Sequence, residues 1–67
     1  MTREELAREL DEMRLRAWHQ MKMFVKGQID PKACGYASIE GALLDITAKS
    51  AQEVEAKLKT WEKANPL

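Results

Sequence analysis

The chain has 67 residues, eleven basic and eleven acidic, one histidine and a formal net charge of zero. That length bounds it at one domain, near the size where a single chain struggles to bury enough apolar surface. A 45% hydrophobic fraction excludes disorder along the whole chain. The zero net charge disfavours a dedicated nucleic-acid binder, whose affinity rests on neutralising phosphates.

Charge is unevenly placed. Residues 1–13 hold Glu4, Glu5, Glu9, Asp11 and Glu12 against Arg3 and Arg8, whereas residues 14–32 hold Arg14, Arg16, Lys22, Lys26 and Lys32 against Asp30 alone. Cys34 is the single cysteine, which excludes an intramolecular disulfide and fits a reducing compartment. No long apolar run marks a signal peptide or a membrane span. A soluble, cytoplasmic protein is expected.

Thr2-Arg3-Glu4-Glu5 reads as a capping box at a helix start. Leu6, Leu10, Met13, Ala17, Met21 and Phe24 follow at spacings of three and four. At about 100° per residue they fall within an arc of about 80°. Glu4 with Arg8 and Glu12 with Arg16 have the spacing of supporting ion pairs. Gly27 stands where a helix C-terminus favours glycine. The spacing predicts a helix over about 2–26.

A short turn over 27–30 is expected next, with Asp30 capping and Pro31 opening a second helical arm over about 31–64. Tyr36, Ile39, Leu43 and Ile46 keep a helical rhythm, although Gly35 and Gly41 weaken it. A pair of short strands through residues 36–47 is the rival. Ser50-Ala51-Gln52-Glu53 is a second capping box ahead of Val54, Leu58 and Trp61. The arm is therefore either continuous or broken near 47–50. Asn65-Pro66-Leu67 ends it.

The predicted fold is all-α, an antiparallel helical hairpin. Such a hairpin has one shared face, and it is expected to leave much of Trp18, Phe24, Tyr36 and Trp61 in water. That exposed surface favours a two-fold homodimer closing a helical bundle. The expected core and dimer residues are Leu6, Leu10, Met13, Met21, Phe24, Tyr36, Ile39, Leu43, Val54, Leu58 and Trp61. In size and layout the chain resembles the small dimeric helical hairpins of plasmid and phage origin, some of which bind paired RNA loops. The resemblance covers architecture and carries no functional residue over.

A second stripe runs along the first helix. Leu15, Trp18, Lys22 and Val25 stand at i, i+3, i+7 and i+10, turned roughly 80–160° from the centre of the core stripe. It meets either a second copy or a target protein. Arg14, His19 and Lys26 rim it with positive charge. Met13 and Met21 read as core, and Met23 as exposed.

Chemistry is poorly served. His19 has no partner at metal-ligand spacing, and no metal or other cofactor is expected. Cys34 reads as a small packed residue, and paired carboxylates such as Asp11 with Glu12 read as solvated helix surface. Tyr36, Ser38 and Glu40 lie near the turn as polar candidates without a role. The expectation is a non-enzymatic module with no small-molecule substrate, working by occlusion or recruitment of a protein partner. A phage- or plasmid-encoded inhibitor, anti-activator or adaptor of a host transcription regulator fits that size. An RNA- or DNA-binding hairpin and a pure oligomerisation module are the alternatives.

Overall fold

A computed structural model describes residues 1–66. The order of elements is α1 (Arg3–Val25), a single 3₁₀ turn (Lys32–Cys34) and α2 (Ile39–Ala64), with α1 and α2 packed against each other. Among the described residues there is no strand, so the alternative of two short strands through residues 36–47 does not form.

α1 starts as the sequence implies. Thr2 accepts from the Glu5 amide at 3.1 Å and the Glu5 side chain reaches back to the Thr2 amide. Two amides that a helix start leaves unpaired are thereby satisfied. At the other end, Gly27 takes φ +77°, a conformation that costs a side-chain-bearing residue energy, and the Gln28 amide returns to the Met23 carbonyl at 3.0 Å.

The connection is longer than the expected turn of 27–30. Asp30 does accept from the Lys32 amide at 3.1 Å. What it caps is one 3₁₀ turn, which Gly35 ends at φ +87°. The α-helix begins afresh eight residues later, where Ser38 accepts from the Gly41 amide at 3.1 Å. The arm thus starts at Ile39 and not at residue 31, because a left-handed glycine and a second serine cap stand between them. Gly41 belongs to the first turn of α2, where its missing side chain weakens little.

α2 then runs unbroken for 26 residues through the position where a break was considered. Ser50 is half-buried within it. The second capping box is consequently not a helix start, since the apolar rhythm on either side of Ser50 packs continuously on α1. Asn65 caps the end, its side-chain amide donating to the Trp61 carbonyl at 3.0 Å. Leu67, expected beyond that end, lies outside the described residues.

The core is thin. Leu6, Phe24, Ala42 and Ile46 are its buried members. Ala42 is 0% exposed where the helices close nearest the turn. Around it Ala17, Met21, Ile29, Tyr36 and Leu43 are partly buried. Phe24 is therefore not left in water as expected: Tyr36, standing ahead of α2, turns its ring edge onto it at 5.9 Å and 85°, a geometry worth about 0.5–1.5 kcal/mol beyond area. Leu10, Met13, Val54, Leu58 and Trp61 are half-buried.

Three further expectations are corrected. Ile39 is exposed because it opens α2, where the helix has not yet closed on α1. Met23 is half-buried, drawn in beside the turn. Cys34 is exposed, since a 3₁₀ turn offers it no apolar wall. The intrahelical pairs Glu4–Arg8 and Glu12–Arg16 are also absent among the described residues. Arg14 instead meets Asp11 at 2.7 Å. Between helices, Lys57 Nζ approaches Glu9 Oε2 at 2.7 Å, and that ion pair is the partner of an oxygen otherwise closed off from water.

Candidate binding surface

The hairpin is a slab, 43 × 17 × 13 Å. Its short dimension is about the diameter of one α-helix. Each broad flank therefore exposes the seam between α1 and α2, and the back of α1 forms a third surface.

On one flank the seam opens into a groove of about 550 Å³. Its floor is made of small side chains, Ala17, Ser50 and Ala51, with Leu10 and Val54 towards the far end. Trp18 stands at the edge, 53% exposed. Val25 lies seven residues further along the same stripe of α1 and is 62% exposed. On the α2 side, Leu44 precedes Thr47 and Ala51 by three and seven residues and is 73% exposed. Helical spacing puts it on the same flank. Leu44 was not anticipated as a surface residue. The tandem Leu43-Leu44 carried the signal, because adjacent helix positions cannot both face α1.

The charges of this flank cancel. Asp11 and Arg14 both line the groove and pair with each other. Arg14, expected on the basic rim, is thus neutralised within the chain.

The back of α1 is different. Leu15, 47% exposed, sits in a shallow depression with Arg16, His19 and Gln20, away from the groove that Trp18 lines. Residues 13–29 contain no acid. Among the described residues, Arg16, Lys22 and Lys26 have no carboxylate within salt-bridge distance. Lys22 Nζ lies 4.5 Å from the centre of the Trp18 ring, an attraction between a cation and the ring's negative face. His19 and Lys26 are exposed. The predicted second stripe therefore divides: Trp18 and Val25 belong with the α2 flank, and Leu15 and His19 with the back of α1. Lys22 joins the two.

The opposite flank holds a cavity of about 610 Å³ lined by Met1, Leu6, Met13 and Trp61 among others. Trp61 Nε1 donates to the Met1 carbonyl at 3.0 Å, which ties the start of the chain to the end of α2.

Near the turn, Tyr36 donates its hydroxyl to Asp45, and Lys49 Nζ meets the same carboxylate at 3.0 Å. Hydrogen bonds from Tyr36 and Lys49 hold the Asp45 carboxyl below its ordinary value. Bonding to that carboxylate raises both the Tyr36 hydroxyl and the Lys49 ammonium. The Asp45–Lys49 spacing was legible in the sequence as an i,i+4 pair. Tyr36 joining it was not, because that depends on the glycine-terminated turn. The cluster anchors the connection to α2, and Ser38 is spent on the cap. Glu40 is exposed.

Among the described residues no three His, Cys, Asp or Glu side chains stand where they could hold a metal ion. No helix of the described residues is long and apolar enough to cross a membrane. Compared with protein-family models, curated proteins and solved structures, the chain gives no match in any of the three.

Proposed function

We propose that the chain is a non-catalytic module that binds an acidic, partly apolar protein surface through the back of α1. The observation that carries this reading is the exposed Leu15 beside Arg16, Lys22 and Lys26, cations with no carboxylate of their own among the described residues. Leu15 supplies the apolar anchor. His19 and the lysines supply a rim that steers an acidic partner and fixes its register. Trp18 and Val25 border the ridge and add contact area at its edge.

Such docking acts by occlusion or recruitment: a helix laid on a regulator blocks its working surface or bridges it to another component. A protein partner is favoured over nucleic acid because the cations occupy half of one helix within a neutral chain.

The test is affinity capture from an extract of the source organism, comparing the wild type with Leu15→Glu and with Lys22→Ala plus Lys26→Ala. A protein held by the wild type and lost with Leu15→Glu supports the reading. Retention that nuclease abolishes, and that the lysine variant weakens across all sequences, would replace it with nucleic-acid binding.

A further inference from the structure

The chain exposes 5273 Å² of accessible surface for a mass of 7.7 kDa. Folded monomers of that mass follow a scaling that gives about 4,300 Å². The excess, about 900 Å², is close to the roughly 800 Å² that each partner contributes to a stable protein interface. The radius of gyration makes the same point: it is 14.7 Å, against about 11 Å for a compact domain of this length. One layer of two helices has been built, and a second layer is missing.

The grooved flank has the properties of a surface that fits itself. A two-fold interface uses one patch twice, so that patch must carry both the protrusion and the recess that receives it. Trp18 protrudes from the edge of a groove floored by Ala17, Ser50 and Ala51. Leu44 and Val25 extend the apolar area towards the turn. The patch also carries one acid and one base, Asp11 and Arg14, so two copies meet without net repulsion. An acidic or basic partner would find no complementary field here. It would find one on the back of α1.

From these observations we infer that the grooved flank is the interface of a two-fold homodimer, in which each Trp18 enters the groove of the other copy. The result is a four-helix bundle with both α1 ridges on its outside. The inference does not depend on the proposed partner: Leu15 lies outside this flank, so Leu15→Glu abolishes partner capture and leaves the dimer intact, while a groove substitution does the reverse.

Sedimentation equilibrium of the full chain from 10 µM to 1 mM tests it. The wild type is expected at twice the chain mass. Ala51→Arg, at an exposed position of the groove floor, is expected to return to the single-chain mass with its helical circular dichroism retained. Ala56→Arg, on the opposite flank, is expected to stay dimeric. A wild type at single-chain mass throughout that range overturns the inference. So does a dimer that survives Ala51→Arg and dissociates with Ala56→Arg. Should Ala51→Arg unfold, fluorescence decides: in Trp61→Phe, where Trp18 is the only tryptophan, emission moves to shorter wavelength on concentration if Trp18 becomes buried, and an unchanged spectrum counts against the dimer.

Discussion

Ala42 is the residue on which the two helices close, with no surface left to solvent. A larger side chain there pushes α2 away from Phe24 and Ile46, the other members of the same cluster. Ala42→Leu is expected to destabilise the hairpin by about 1–3 kcal/mol, the usual cost of overpacking, as read from urea midpoints. At Asp45 the lever is charge. Its carboxyl lies below the ordinary 3.8, so its contribution to stability is complete above that value and is lost as pH falls through the lowered folded one. Tyr36 and Lys49 lie above their ordinary 10.0 and 10.5. Their contributions are complete below those values and are lost as pH rises through the raised ones. Asp45→Asn should therefore flatten the acid limb and the alkaline limb of a stability profile together. Flattening of one limb alone would mean that the three groups do not act as a cluster.

Among the elements, α1 was legible almost to the residue, because one capping box, one apolar stripe and one glycine agree on its limits. The second arm was legible only as helical. Its start depends on Gly35 entering the left-handed region after a 3₁₀ turn, and Asp30-Pro31 looks the same ahead of either kind of helix. Its continuity depends on packing against α1, which overrides the local signal of Ser50-Ala51-Gln52-Glu53. Two serines with similar sequence signals thus have different roles. Ser38→Ala should lower stability by about 1 kcal/mol through a lost cap. Ser50→Ala should leave stability unchanged or raise it slightly, since alanine is the better interior helix former. Thermal melts of the two variants side by side check this, and a larger loss at Ser50 would indicate that α2 starts there.

At the scale of the whole molecule, the second stripe on α1 was visible as an apolar and basic surplus, but its division was not. Helical projection alone leaves Leu15, Trp18, Lys22 and Val25 on one band. Only the position of α2 separates Trp18, which shares the groove with Thr47 and Ala51, from Leu15, which does not. That division lets one helix serve a twin on its flank and a target on its back. Lys22, lying over the Trp18 ring, sits at the boundary. Lys22→Ala is accordingly expected to weaken partner capture while leaving the sedimentation mass unchanged, and a shift towards single chains would move that lysine into the dimer face.

The central claim is that a single hairpin is an incomplete fold, finished by a second copy. The most direct measurement is the melting temperature as a function of protein concentration, since association couples folding to mass action. For a dimer of 67-residue chains, a hundredfold rise in concentration should raise the midpoint by roughly 10 °C. A midpoint that stays constant across that range would contradict the claim, and the hairpin would then fold and persist as a monomer.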